Sequence, residues 1–309
     1  MTTNTPAFVL AIDHRNSLRR WYVALTGAAE ATALSAGGAA LSAGKVVVAD
    51  GLLTALADPA YAGQPMLLVD EEYGQDAIAR LRDANAGVQI VIPAERSGEP
   101  EFIFEHGASF GEHIERAGPD IVKALVRYNP SGDQERNARS RHGLTELARW
   151  LEDHGLPLML ELLVPPAPGA GPAVESKHRD AKTFDDEIRP ALTVAAISEL
   201  SEAGLSPAYW KVEGQPSTDA FASLAQAASG DGRFLVLGRG EDATAVGRWV
   251  AMAAAADGFS GFAVGRTIWA QALADWFTGQ ASRDDTVAVI AANYLHFTGI
   301  YLKNSPSGG

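Results

Sequence analysis

The residues Tyr209-Trp210-Lys211-Val212-Glu213-Gly214 read as a short strand that carries an amine and a carboxylate on one face. Lysine is used sparingly: Lys45, Lys123, Lys177, Lys182, Lys211 and Lys303 are the full set, and arginine supplies the remaining basic charge. Of these six, Lys123 and Lys211 lie inside apolar, strand-like runs. An ammonium there is costly unless paired, and desolvation favours its free-amine form. A primary amine condenses with a ketone, which a guanidinium does not do. The plainer reading of such a lysine is a buried ion pair.

The elements that must hold this strand follow from the pattern around it. Short apolar runs alternate with longer amphipathic ones, as in repeated β-α units on a parallel sheet. Strands are predicted at Phe8–Asp13, Met66–Asp70, Gln89–Ile92, Ile121–Tyr128, Leu158–Val164, Tyr209–Glu213, Phe234–Gly238 and Gly261–Val264. A helix is predicted through Leu18-Arg-Arg-Trp-Tyr22, and others over Gln75–Ala84, Asp133–Asp153, Phe184–Ala203, Ala243–Ala255, Ile268–Phe277 and Asp284–Tyr301. The Ala/Gly-rich stretch Thr26–Gly44 reads as helix with a break at Gly37-Gly38. Eight strands in 309 residues point to a single (β/α)8 TIM barrel over residues 1–303, with an extra C-terminal helix, rather than an open doubly wound sheet. Residues 304–309 read as a disordered tail. The Pro/Gly-rich Pro165–Thr183 segment, with Lys177, His178 and Arg179, is either a lid or a surface linker.

In a barrel, side chains two apart share a direction and the site lies at the C-terminal strand ends. Asp13, Lys123, Glu161 and Lys211 then meet in the lumen, two carboxylates and two amines. That set suits imine chemistry: one lysine attacks a ketone, a neighbouring cation favours its neutral form, and a carboxylate moves protons. The alternative is a layer of compensated ion pairs plugging the barrel. His14, Arg15, Asp70, Arg127 and Glu213 stand at strand ends as candidate substrate-binding residues. Gly238-Arg239-Gly240 and Gly265-Arg266 end adjacent strands, where glycine lets backbone amides approach an anion. The first of these lacks the downstream residues of a dinucleotide fingerprint. His14, His106, His113, His142, His154, His178 and His296 show no metal-ligand spacing, so neither metal nor cofactor is expected.

Several motifs resemble a known family. Ala11-Ile-Asp-His-Arg15, Leu68-Val-Asp-Glu-Glu-Tyr-Gly74, Val122-Lys-Ala-Leu125, Tyr209-Trp-Lys-Val-Glu213 and Gly261-Phe-Ala-Val-Gly-Arg-Thr-Ile-Trp269 together look like the class I aldolases related to tagatose-1,6-bisphosphate aldolase and sulfofructose-phosphate aldolase. Pro93-Ala-Glu-Arg-Ser-Gly98 and Arg127-Tyr-Asn-Pro130 are similar to the aldolase-like domain fused to 5-dehydro-2-deoxygluconokinase in inositol catabolism. The resemblance spans residues 8 to about 277. It implies a metal-independent lyase that cleaves a phosphorylated keto sugar or sugar acid to dihydroxyacetone phosphate and an aldehyde. Carried over by position, Lys211 forms the imine, Glu161 is the acid/base, and Asp13 and Lys123 assist proton transfer and orientation. Arg266, with the amides near Gly238 and Gly265, holds phosphate. His14 replaces the glutamine of the tagatose type, which favours the inositol-type branch and 2-deoxy-5-keto-gluconate 6-phosphate as substrate. Arg239 has no counterpart in either pattern. The kinase half is missing, which implies action alone or beside a separate kinase. A non-catalytic sugar-phosphate sensor on the same scaffold is the rival reading.

The totals constrain partners. The formal charge of −13 argues against nucleic acid and anionic membrane, so a small anionic substrate needs a local basic pocket. The absence of cysteine fits a reducing compartment, no signal core is seen, and no run approaches the roughly 20 apolar residues that span a bilayer. A cytoplasmic protein is expected. The apolar helix Val287–Ile300 offers an interface for a second copy.

Overall fold

Apolar runs such as Ala7-Phe-Val-Leu-Ala-Ile12 are buried along their whole length, as strands covered on both faces must be. The computed structural model describes residues 5–27, 30–166 and 183–306. Within them, β1 (Ala7–Ile12), β2 (Gln64–Val69), β3 (Gln89–Pro93), β4 (Ile121–Arg127), β5 (Leu158–Leu163), β6 (Tyr209–Val212), β7 (Arg233–Leu237) and β8 (Phe259–Val264) close in chain order into a barrel. Every pairing is parallel, including β1 with β8. This is the expected (β/α)8 architecture.

The helices among the described residues are α1 (Asn16–Thr26), α2 (Glu30–Leu56), α3 (Glu71–Ala84), α4 (Phe110–Ala117), α5 (Gln134–Asp153), α6 (Arg189–Glu202), α7 (Thr218–Ala227), α8 (Ala243–Ala254), α9 (Arg266–Phe277) and α10 (Arg283–Asn304). Side-chain oxygens close several N-termini: Asp133 accepts from Arg136 N, Ser217 from Ala220 N and Asp242 from Ala245 N. Two apolar layers result. Phe8, Leu10, Phe262 and their neighbours face the helices, while Val9, Met66, Leu68, Val91, Ile121, Met159 and Leu235 fill the lumen. That lumen layer is a dry floor beneath the charged strand ends.

Several sequence expectations change. No break occurs at Gly37-Gly38, because α2 runs on from Glu30 to Leu56. Its stretch Gly38–Leu56 is, against expectation, long and apolar enough to span a membrane by length and composition, with a mean hydropathy of 1.5. Half of it is buried, and α2 packs against α3 and α10. The buried face of α10, with Ile290, Tyr294, Phe297 and Tyr301, is covered by its own chain, leaving Val289 and Leu302 as its exposed large apolar residues. Helices α4 and α7 have no counterpart in the sequence reading. Residues 167–182, most of the expected lid or linker, lie outside the described residues, as do 307–309 of the expected tail; Asn304 ends α10.

Closure of the barrel depends on one glycine. Gly261 has φ 149°, and a Cβ there would come within 1.8 Å of the Ala7 carbonyl oxygen on β1. Gly261→Ala is expected to separate β8 from β1 and cost about 3 kcal/mol or more. Urea unfolding should show a lower midpoint; a midpoint equal to wild type would mean the seam is not tight there.

Candidate active site

Strand alternation aims Ala11, Lys123, Leu125, Glu161, Lys211 and Glu213 into one cavity of about 530 Å³ at the C-terminal end of the barrel. Register then sets neighbours: Glu161 pairs with Lys211 across β5 and β6, and Leu125 with Glu161 across β4 and β5. Glu161 Oε2 lies 2.9 Å from Lys211 Nζ and 2.8 Å from Lys123 Nζ. Lys123 Nζ also reaches Asp13 Oδ2 at 2.9 Å and Glu95 Oε1 at 2.7 Å. The four residues expected to meet do meet, and all are largely buried.

The two lysines differ in kind. Lys123 meets three carboxylates, so although burial opposes its charge, Asp13, Glu161 and Glu95 hold it protonated well above the usual lysine range. Among the described residues, Lys211 has Glu161 as its ion-pair partner. Lys211 is therefore held by one carboxylate where Lys123 is held by three. Burial pushes the Glu161 and Asp13 carboxyls up, but Lys123 and Lys211 outweigh it and hold both below the ordinary range. Glu95 goes the other way: burial raises it, and Lys123 offsets this only in part. Glu95 was missed in the sequence because it follows Pro93-Ala94, beyond the strand, where a carboxylate is unremarkable. It also accepts from Leu125 N, fixing its loop to β4.

His14 lines the cavity with its ring edge-on to Trp269, and its Nδ1 is buried with no hydrogen-bond partner among the described residues. Burial, with Arg266, Lys45 and Lys211 nearby, draws it down to about 4 despite Asp13, so it is a neutral imidazole at neutral pH. Arg15 and Arg127 also line the cavity, but their guanidinium groups hold the loop after β3. Arg15 donates to Glu105 Oε2 and the Glu95 carbonyl, and Arg127 to the Glu99 carbonyl.

Opposite this loop, Gly238, Arg239, Gly240, Gly265 and Arg266 form a basic wall. Arg239 and Gly240 take φ of 52° and 80°, and a Cβ on Gly240 would meet the Arg266 guanidinium at 2.5 Å. The turn thus wraps the Arg266 head group, which donates to the Arg239 carbonyl at 2.9 Å. Arg239 reaches Glu213 Oε1 at 3.3 Å and Asp185 at 2.9 Å. Buried Arg189, at the start of α6 and also unforeseen, pairs with Glu213 and Asp185. Glu213 is raised by burial, against Arg189, and accepts from Val164 N at 2.8 Å. It braces the arginine wall and the end of β5.

Asp70 is a correction. It is buried, outside the cavity lining, and caps α3 by accepting from Tyr73 N while pairing with Lys45. Lys45 itself, set aside in the sequence because it lies outside any strand-like run, is wholly buried on α2. The histidines are less scattered than their spacing implied: donor atoms of His106, His113 and Glu71 lie within 4.8 Å of one another, away from the cavity lining. The two imidazoles stack face to face at 3.4 Å, and Arg116 approaches His113 Nδ1 at 3.2 Å. His113 is thus bridged between Arg116 at Nδ1 and Glu71 at Nε2.

Comparison with known proteins agrees with this geometry. Residues 2–305 match the family described as "Uncharacterized protein conserved in bacteria (DUF2090)". No curated protein matches the sequence. The fold is similar to fructose-bisphosphate aldolase from Plasmodium falciparum, solved with TRAP and a small-molecule inhibitor, at TM-score 0.65 and 12% identity over 97% of this chain and 91% of that one. It is similar to a Schiff-base-forming fructose-1,6-bisphosphate aldolase at TM-score 0.55 and 14% identity, covering 91% and 96%. It is also similar to Cgl0159 from Corynebacterium glutamicum at TM-score 0.54 and 17% identity, covering 94% and 87%. At these identities the likeness is one of fold, a (β/α)8 barrel.

Lys123→Met removes the cation shared by three carboxylates. The loss of stability is expected to be about 3–5 kcal/mol near pH 7. Without the ammonium the folded-state carboxyls rise above their unfolded values, so the deficit should grow as pH increases from 5 to 8. Urea titrations at both pH values test this; a deficit that shrinks with rising pH would contradict the assigned charges.

Proposed function

We propose that this chain, which belongs to the DUF2090 family, is a metal-independent class I aldolase acting through an imine on Lys211. The observation that carries the reading is the 2.9 Å contact between Lys211 Nζ and Glu161 Oε2 at the buried end of a cavity walled by arginine. The substrate is a phosphorylated keto sugar or sugar acid, of the 2-deoxy-5-keto-gluconate 6-phosphate type. Tagatose bisphosphate and sulfofructose phosphate are the alternatives to be assayed beside it.

The chemistry follows from the charges. Lys211 gives a proton to Glu161 and its free amine adds to the substrate ketone, forming a carbinolamine. Glu161 returns the proton to the departing hydroxyl, water leaves, and an iminium remains. The carbon–carbon bond beyond the α-carbon then breaks, and its electron pair flows into the iminium to give an enamine. The proton of the hydroxyl that becomes the aldehyde passes to a carboxylate, Asp13 or Glu161. Lys123 holds both carboxylates in place without exchanging a proton itself. The enamine is protonated at carbon, and water hydrolyses the imine to release dihydroxyacetone phosphate and restore the amine. Arg266 and the amides around Gly238 and Gly265 hold the phosphate throughout. His14, neutral, lines the cavity beside Asp13.

Release of dihydroxyacetone phosphate from the three candidate substrates tests the reading. Wild type is expected to turn over at least one, with activity unchanged by a chelator. Lys211→Met should abolish turnover, and Glu161→Gln should lower kcat about 10²–10⁴-fold. Chelator-sensitive turnover, or full activity in Lys211→Met, would overturn it.

A further inference from the structure

We infer that Lys45 is a positioning residue for Asp13, an inference that rests on the aldolase reading above. The ladder between β1 and β2 ends at Ile12 opposite Val69, so Asp13 stands one residue beyond the last pair that could fix it. Lys45 supplies what the ladder does not. From α2 its Nζ donates to the carbonyl of Ile12 at 2.6 Å and of His14 at 3.1 Å, the residues on either side of Asp13. Its third partner is the Asp70 carboxylate, which also caps α3. One ammonium thus ties the ends of β1 and β2 to the helices behind them.

The surroundings are shaped for this side chain. Lys45 is fully buried, and its ammonium lies 6.0 Å from the centre of the Tyr73 ring. A Cβ on Gly74 would meet Val69 Cγ2 at 2.3 Å, so glycine lets α3 sit close against β2 beside the lysine stem. A buried ammonium costs several kcal/mol in desolvation, and an apolar side chain would fill the same space without that cost. What the ammonium adds is three acceptors held at fixed positions, two of them flanking a carboxylate that bonds Lys123 at 2.9 Å. A shift of about 1 Å in such a group is worth about 10²-fold in rate.

The test is a double-mutant cycle on turnover, with Lys45→Met and Asp13→Asn made singly and together in the full chain. Lys45→Met is expected to lower kcat about 10–100-fold while KM changes less than about threefold. In the Asp13→Asn background the same change should have little further effect, because the group it positions is gone. Equal losses in both backgrounds, or a rise in KM alone, would reduce Lys45 to a structural residue. If Lys45→Met does not fold, Lys45→Gln takes its place in the cycle, since its side chain is one bond shorter and uncharged and does not span both carbonyls. Wild-type kcat in Lys45→Gln would then overturn the inference. Absence of turnover in wild type would instead count against the aldolase reading itself.

Discussion

One carboxylate oxygen shared by two ammonium groups governs this site. Glu161 Oε2 stands 2.8 Å from Lys123 Nζ and 2.9 Å from Lys211 Nζ, with little water to screen any of them. Buried ion pairs are poor sources of stability, because desolvation cancels most of the attraction. A cluster of two lysines and three carboxylates above an apolar floor is therefore better explained by what it does than by what it stabilises. Its asymmetry is the useful part. Lys123 is bound by Asp13, Glu95 and Glu161, while among the described residues Lys211 pairs with Glu161.

The barrel supplies that asymmetry through register. Glu161 and Lys211 are paired positions on neighbouring strands, so their heads meet without any loop having to place them. Groups outside the strands need other devices. Glu95 is held by Leu125 N and by Arg15, and the arginine wall is built from a left-handed turn folded around Arg266. Glu213 and Arg189 brace that wall from β6 and α6. The strands thus carry Lys123, Glu161 and Lys211, and the connections carry Glu95 and the arginine wall.

That division explains what could be read from sequence. Asp13, Lys123, Glu161 and Lys211 were legible because each is a charge within or at the end of an otherwise apolar, strand-length run. The barrel was legible for the same reason, from eight such runs. Glu95 and Arg189 were not, because a charge in a loop or at a helix start is ordinary wherever it points. Lys45 was hidden in an Ala/Gly-rich helix whose buried faces pattern alone does not separate. Asp70 was misread because a carboxylate ending a strand and one capping the next helix look identical in sequence. Only the bond from Tyr73 N distinguishes them. His106, His113 and Glu71 come together from three segments, which spacing cannot reveal.

The central claim is that the amine at position 211 bonds carbon. Borohydride reduction in the presence of dihydroxyacetone phosphate, followed by peptide mass mapping, addresses it without knowledge of the full substrate. The account expects one stable adduct per chain, on Lys211. An adduct on Lys123 or Lys45, or none under conditions where turnover is measurable, would contradict it.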